Sequence, residues 1–451
     1  MMTKTFLATV MAMAAATTAC GGLARDNHEP PPHRGFPVLG GDDQPDAGAL
    51  GGDDAGTGSA GSGSSAPLCT PNTTTCSGGE LTTCDATGNP SQTQACDVGC
   101  SADGSRCLRF VPSNGLDTFF QMTSDPQDLT LKDGNLDPET GVFSTALGDT
   151  TLVSFVVPAS PGGAPLRVFV GKHVTIAGTV NIESSTDDND NRSIGTAVAL
   201  LATDELDVTG TLHVFVGAVD VAGCTGFDGT QHLQVFTGGG GGGHATAGAA
   251  GGNVKIGVTL LPHGDGGAAS GNDALVPLRG GCPGGRDVTG GQFAGNGGGA
   301  VQLVSRAKVH VSGTINADGN GAGPGAGGGG GGGVLIEAPV VAIDDGAFVV
   351  ARGGAGAAGD DGIGDDGAAS AAPLAGATCI SGGTCGAGGN GAAVGIAPTT
   401  GGGFAATATT VGSAGGGGGG LGRIRVNTAT GTLTTKATLA AQVSIGPVLT
   451  E

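Results

Sequence analysis

Short runs of alternating apolar and polar residues begin near residue 108 and recur to the end of the chain. This alternation is typical of β-strands, in which successive side chains point to opposite faces. One pattern of apolar positions returns without a gap 103 residues later, and each copy has a Gly-Thr pair that predicts a tight bend between two strands. The first copy contains Val198, Leu200, Leu206, Val208, Gly210, Thr211, Leu212 and Val214, and the second contains Val301, Leu303, Val309, Val311, Gly313, Thr314, Ile315 and Ala317.

The repeat predicts an all-β fold of stacked units. Parts of the pattern recur at 174–182, 334–350 and 424–433. One unit of such short strands cannot enclose a core, whereas stacked units bury their apolar stripes together. The pattern resembles that of bacterial β-helix proteins, which implies a right-handed parallel β-helix (β-solenoid) over 166–451, with 108–165 as lead-in strands or a cap. A β-sandwich with coincidental Gly-Thr turns is the alternative.

Glycine supplies 96 of the 451 residues and is concentrated in runs at 238–243, 327–333 and 415–420. Glycine loses the most backbone entropy on folding and adds no side chain to a core. We therefore favour Gly-rich loop insertions that are flexible. The alternative is polyglycine-II-like packing, in which backbones without side chains approach closely and hydrogen-bond to each other.

The chain has eleven cysteines, and ten remain when Cys20 is set apart. An even number in an exported chain predicts disulfides, although six cysteines between 69 and 107 allow fifteen connectivities. Zinc is the competing interpretation, but this segment has one close pair, Cys96 and Cys100, and no histidine. We expect Cys224 to pair with Cys282 and Cys379 with Cys385. The predicted disulfide cysteines are Cys69, Cys76, Cys84, Cys96, Cys100, Cys107, Cys224, Cys282, Cys379 and Cys385.

The N-terminus has Lys4, an apolar run over 6–16 and small residues before Cys20. It resembles the bacterial lipoprotein signal peptide with its lipobox cysteine, although Thr17 stands where that pattern has an aliphatic residue. The resemblance implies that 1–19 is removed, that Cys20 is lipidated, and that the chain is exported as an outer-membrane lipoprotein at the cell surface. An ordinary signal peptide cut near Ala19 is the alternative.

Two segments precede the strands. Residues 20–68 are rich in Pro, Gly and Asp, a composition that predicts a disordered tether. Residues 69–107 form a disulfide-rich module, because they have too few apolar residues for a core. With the following Pro112-Ser113-Asn114-Gly115, the module resembles a cysteine-rich leader of predicted lipoproteins from myxobacteria and their relatives. No biochemical activity comes with that resemblance.

The net charge of −21 argues against a nucleic-acid partner, which requires a basic face. We expect contact with the membrane through the lipid anchor, and an envelope or extracellular polymer as the other candidate partner. No cofactor is expected. Four aspartates on glycine-rich backbone are weak calcium candidates, but no calcium-binding loop motif matches, so solvated acids are favoured over a metal site. They are Asp360, Asp361, Asp365 and Asp366.

Candidate catalytic groups are scattered. A polysaccharide-cleaving site would use Asp204, Glu205 and Asp207 on one turn, with Arg306, Lys308 and His310 on the equivalent turn of the next copy. The Trp and Tyr platforms of sugar-binding grooves are absent from the sequence. We therefore predict a structural or adhesive display role at the cell envelope without catalytic activity. A polysaccharide-acting lyase or hydrolase is the alternative.

Overall fold

Almost all regular structure in the described part of the chain is β-strand, so the all-β prediction is confirmed. The structure is a computed structural model, and it describes residues 68–122, 125–161, 163–183, 195–215, 237–286, 294–359, 364, 372–379, 385–406 and 412–451. The elements of these residues are β1 (Thr74–Ser77), β2 (Glu80–Cys84), β3 (Pro90–Ala95), β4 (Phe110–Val111), α1 (Phe119–Met122), β5 (Leu129–Leu136), β6 (Val142–Thr145), β7 (Gly148–Thr151), β8 (Ser154–Val157), β9 (Leu166–Gly171), β10 (Val174–Ile182), β11 (Ala197–Ala202), β12 (Glu205–Val208), β13 (Thr211–Val214), β14 (Val254–Ile256), β15 (Thr259–Leu261), β16 (Ala300–Ser305), β17 (Lys308–Val311), β18 (Thr314–Asn316), β19 (Gly333–Glu337), β20 (Val340–Ile343), β21 (Phe348–Val350), β22 (Phe404–Ala406), β23 (Arg423–Thr428), β24 (Thr438–Ala440), β25 (Gln442–Pro447) and β26 (Leu449–Thr450).

Most strands belong to two sheets in which neighbouring strands run parallel. The seven-stranded sheet has the order β25-β23-β19-β16-β11-β9-β8, with only β8 antiparallel to its neighbour. The eleven-stranded sheet has the path β20-β17-β12-β10-β13-β18-β21-β24, with β5, β6 and β7 attached through β10. In this sheet only β6 and its partners β5 and β7 pair antiparallel. Because the long strand β10 pairs with β12 through its first half and with β13 through its second half, this sheet has two arms. We refer to these two sheets together as the stack.

The register of the stack follows the repeat in the sequence. Val208 pairs with Val311 in the eleven-stranded sheet, and Leu200 pairs with Leu303 in the seven-stranded sheet. All four side chains are fully buried in one apolar core to which both sheets contribute. The parallel register argues against the antiparallel β-sandwich.

Glycines form the bend between the two arms of the eleven-stranded sheet. Gly178 has a positive φ of 62°. A Cβ on Gly210 would lie 2.2 Å from the Gly178 carbonyl oxygen, and one on Gly313 would lie 2.0 Å from that of Gly210. The bends therefore stack backbone on backbone, which explains why the Gly-Thr pair recurs.

The seven-stranded sheet is buried on its second face as well. Residues of the lead-in segment and of the insertion before β16 cover that face, so strands such as Ala197–Ala202 are buried at every position. A second apolar core results, and the sequence analysis did not predict it. Its large members include Phe110, Leu116, Phe120, Leu201, Leu275, Leu278, Val304 and Leu335.

The glycine runs lie in the interior and are regularly hydrogen-bonded. Six successive N–H groups from Gly327 onward donate in turn to the carbonyls of Gly285, Gly417, Asn320, Cys282, Gly420 and Ala317. Residues three apart therefore bond to the same neighbouring segment, 282–285, 417–420 or 317–320. Carbonyls of residues 325–330 accept from three further segments, 239–242, 295–298 and 354–357. A period of three residues is the repeat of the polyproline II helix.

The run at 415–420 repeats this arrangement. Its six N–H groups donate in turn to the carbonyls of Gly402, Ala357, Gly239, Thr399, Gly354 and Gly242, so residues three apart again share one neighbouring segment. We call this set of backbone-bonded segments, 238–252, 264–268, 281–285, 295–298, 317–332, 351–359, 386–392, 399–402 and 415–422, the glycine bundle.

Close approach of backbones explains the composition of the glycine bundle. A Cβ on Gly416 would lie 1.7 Å from the carbonyl oxygen of Ala326, and one on Gly329 would lie 1.9 Å from that of Asn296. The preference for flexible loop insertions is therefore wrong for these runs. The entropy lost by ordering glycine is offset by backbone hydrogen bonds and by packing at distances that no side chain permits.

Candidate functional site

The predicted acidic and basic residues meet on the outer face of the eleven-stranded sheet. Pairing of β12 with β17 sets Asp207 against His310 and Glu205 against Lys308. The His310 Nδ1 lies 3.1 Å from Asp207 Oδ1, and its Nε2 lies 3.0 Å from Asp344 Oδ2, just after β20. One imidazole thus contacts a carboxylate on the strand before it and another after the next strand.

A second histidine lies between two carboxylates at the neighbouring corner, with one hydrogen bond and one charge contact. The His173 Nδ1 lies 2.9 Å from Asp128 Oδ1, and its Nε2 lies 3.0 Å from Asp204 Oδ2. Hydrogen bonding to Asp128 is the main cause that raises the pKa of His173, and the charge of Asp204 adds to it. The same contact lowers the pKa of Asp128. His173 was not among the predicted site residues. A usable signal was that Asp128, His173 and Asp204 each directly precede a strand of the same sheet.

Arg306 departs from the predicted group. Its guanidinium lies over the Phe120 ring, 4.7 Å from the centroid, on the side of the lead-in segment. Burial lowers its pKa, as does the positive charge of Arg109. Of the remaining members, Asp207 and His310 contact each other across strands, Asp204 contacts His173, and Glu205 and Lys308 lie opposite each other in the register.

A buried polar junction joins the lead-in segment to the seven-stranded sheet. The fully buried Glu337 carboxylate accepts hydrogen bonds from the Ser113 N–H (3.0 Å), the Ser113 hydroxyl (2.7 Å), Gln302 Nε2 (2.6 Å) and Asn427 Nδ2 (2.8 Å). Burial raises the pKa of Glu337, and these bonds oppose that effect. Asn114 extends the junction, since its amide bonds Gln302 and the backbone of residues 275 and 278. The Pro112–Gly115 motif therefore has a structural role here.

An ion pair lies where the stack meets the glycine bundle. Arg352 Nη2 lies 2.7 Å from Asp318 Oδ2, and the two side chains are 1% and 4% exposed. Desolvation raises the pKa of Asp318, while the hydrogen bond from Arg352 acts in the opposite direction. Such a pair satisfies two charges that neither region could bury alone.

His244 is buried inside the glycine bundle. Its Nδ1 donates to the Gly331 carbonyl at 2.7 Å. Burial lowers the pKa of His244 to about 3, and the charges of Arg279 and Arg423 contribute further. The imidazole is therefore neutral at physiological pH.

Disulfides join the cysteines of the N-terminal module, whose three strands β1, β2 and β3 form an antiparallel sheet. Two of these disulfides are adjacent, with 3.3 Å between the sulfurs of Cys76 and Cys96. Because these sulfurs are bonded to other cysteines, they offer no thiolate to zinc. The described disulfides are Cys69–Cys84, Cys76–Cys100, Cys96–Cys107 and Cys379–Cys385.

Several predicted site residues lie outside the described residues. Cys20 and Cys224 are among them, so lipidation and the pairing of Cys224 with the buried Cys282 stay predictions. The same holds for the four calcium candidates, Asp360, Asp361, Asp365 and Asp366.

Comparison with known proteins gives no relative. No protein-family model matches the chain, and no match was found among curated proteins or solved structures. Among the described residues, no helix has both the length and the apolar character to span a bilayer.

Proposed function

We propose that this protein is a lipid-anchored protein of the bacterial cell envelope with a structural or adhesive display role at the cell surface. The signal-like N-terminus ending at Cys20 and the acidic tether support attachment through lipid. The disulfides support an oxidising compartment.

We further propose that the stack closes as a right-handed parallel β-helix. Three successive units, β11–β13, β16–β18 and β19–β21, each add one strand to the seven-stranded sheet and then one strand to each arm of the other sheet, in chain order. Connections between parallel strands of one sheet are right-handed in about 98% of cases. The shared apolar core supports closure, because both sheets face it.

The display role rests on one observation, that the glycine bundle is joined directly to the strands of the stack. Residues 332 and 422 of the bundle lead directly into β19 and β23, and residue 298 is separated from β16 by a single glycine, so each insertion is joined to the core by consecutive backbone. Loops tied down in this way form a fixed surface rather than a mobile one. A fixed surface held off the membrane by a long tether suits presentation to an external polymer.

Acyl labelling and protease shaving test this proposal in the native host. Cells fed an alkyne-bearing palmitate should label the wild-type protein, and Cys20→Ala should abolish both the label and membrane retention. Brief protease treatment of intact cells should release fragments of residues 68–451. Labelling that survives Cys20→Ala, or protection from protease in intact cells with cleavage only after lysis, would contradict surface display.

Activity assays separate display from the polysaccharide-acting alternative. Purified protein is incubated with a panel of uronate and neutral polysaccharides. The display role predicts neither new reducing ends nor unsaturated products. Product formation that is lost in Asp207→Asn would replace the display role with the enzyme.

A further inference from the structure

The two aspartate–histidine–aspartate bridges of the outer face constrain how many protons each imidazole ring carries. An ionised carboxylate only accepts hydrogen bonds, whereas a neutral imidazole has one N–H donor and one bare nitrogen. His173 and His310 each contact a carboxylate through both ring nitrogens. The two hydrogen bonds of His310 are satisfied together only when its imidazole carries two protons. In the same state the ring of His173 keeps its hydrogen bond to Asp128 and attracts the Asp204 carboxylate. Because an imidazole is more basic than a carboxylate, the extra proton resides on the ring.

The bridges connect consecutive strands of the stack. Asp128 precedes β5, His173 precedes β10 and Asp204 precedes β12, and these strands are hydrogen-bonded neighbours. Asp207 lies on β12, His310 on β17 and Asp344 after β20, which continue the same order. The two bridges meet at β12, so together they span five strands.

Other charged groups near the bridges are few. Lys172 adjoins His173 in sequence, and its charge disfavours the protonated ring. Around His310, Lys308 lies on the same strand opposite Glu205, and Asp345 follows Asp344 and pairs with Lys436 at 3.6 Å. Among the residues that the structure describes, each ring forms ion pairs only with its two carboxylates.

We propose that the Asp128–His173–Asp204 and Asp207–His310–Asp344 bridges are proton-operated clamps that hold this arm of the stack together in mildly acidic surroundings and release as the pH rises. When a ring loses its second proton, one carboxylate faces a nitrogen lone pair, and that contact changes from attractive to repulsive. Loss of the proton loosens the outer face while the apolar core remains. This inference does not depend on the proposed display role.

Amide hydrogen exchange on the full-length protein tests the clamps. After correction for intrinsic rates, amides of β10, β12 and β17 should lose protection by about two- to fivefold between pH 6 and pH 8.5, the range typical of exposed ion pairs. The double variant His173→Gln/His310→Gln should show equal protection at both pH values. Lys308→Gln, a matched control that removes a charge from the same strand, should keep the wild-type response.

Nitrogen-15 spectra of the imidazole rings give an independent readout that does not require the variants to be stable. Both ring nitrogens of His173 and of His310 should carry protons at pH 6 in the wild-type protein. Asp204→Asn should cause His173 to lose its second proton at a lower pH than in the wild type. A singly protonated ring at pH 6, or the same pH-dependent exchange in the double glutamine variant, would overturn the proposal.

Discussion

The stack and the glycine bundle solve the same packing problem with opposite means. In the stack, side chains such as Leu303 and Val311 are fully buried and fill the space between two sheets. In the bundle, the space between segments is filled by the backbone itself, and the hydrogen bonds run to six neighbours instead of two. The stack is therefore specified by the residues that are present, and the bundle by side chains that are missing.

This difference implies different tolerance to substitution. A stack position accepts a side chain of similar volume, because neighbouring rotamers adjust. A bundle position faces carbonyl oxygens of the main chain, which cannot move aside without breaking their own hydrogen bonds. The following four predictions test the contrast, from the largest expected effect to the smallest.

The border between the two regions should be the most sensitive site. Arg352→Met leaves the buried Asp318 carboxylate without its cation and should lower the free energy of unfolding by about 3–5 kcal/mol. Denaturant titration measures this. The double variant Asp318→Leu/Arg352→Met should recover much of the loss, because it leaves no buried charge. A double variant as unstable as the single one would contradict the role of the ion pair.

Removing side-chain volume should damage the stack. Leu303→Ala should cost about 2–5 kcal/mol, since the side chain is fully buried in the shared core. Val340→Ala is the control, because Val340 is 54% exposed and its truncation should cost little. Equal losses for the two variants, measured by urea unfolding, would argue against the shared core.

Adding volume should damage the bundle. Gly416→Ala introduces one carbon 1.7 Å from a backbone oxygen and should cost about 1–3 kcal/mol. At an unstrained site, the same change usually stabilises a protein through the unfolded state. Gly403→Ala is the matched control and should cost less, because its added carbon would lie 3.1 Å from the nearest backbone oxygen, a tight contact rather than an overlap. If thermal unfolding shows Gly416→Ala to be neutral, the bundle is not close-packed at this point.

The two regions should respond to pH in opposite directions. The pKa of His244 is lowered to about 3. Since the unfolded ring takes up a proton below about pH 6.5, stability should fall in acid, by about 1–2 kcal/mol at pH 5. The raised pKa of His173 has the opposite effect on the pH dependence of stability. Its stabilisation is complete below the pKa of the unfolded state and is lost as the pH rises through the pKa of the folded state.

Unfolding free energies measured at pH 7.5 and pH 5 separate the two histidines. His244→Asn keeps a donor for the Gly331 carbonyl but cannot take up a proton, so the acid-induced loss of stability should disappear. His173→Gln should retain that loss. An unchanged acid response in His244→Asn would show that the buried imidazole is not its source.

Much of the stack could be predicted from the sequence, because the alternation of apolar residues shows which residues form strands, and the recurring Gly-Thr pair shows how strands of successive units pair. Leu200, Val208 and their partners one repeat later pair as the offset predicts. The second core could not be predicted in the same way, since the lead-in segment that covers Leu201 and Val304 comes from a distant part of the chain. The continuous apolar run at 197–202 was a signal for a strand buried on both faces.

There is a physical reason why the sequence favours flexible loops over a hydrogen-bonded glycine bundle. A glycine run has the same composition whether its backbone is solvated or hydrogen-bonded to other runs, and only the positions of the partners distinguish the two states. In the candidate site, the repeat predicts that Asp207 and His310 lie on equivalent turns of neighbouring copies, and the two residues are paired in the structure. The bridging by Asp344 and the buried bonds of Glu337 depend on tertiary contacts and could not be predicted.

Hydrogen exchange at the glycine runs tests most directly whether the bundle is a core built from backbone. Amides at 239, 241, 242, 327–332 and 415–420 should be protected to the same degree as those of β16 and β19. Exchange at the rates of unstructured glycine, with β16 and β19 still protected, would show that these runs are loops and would contradict the account.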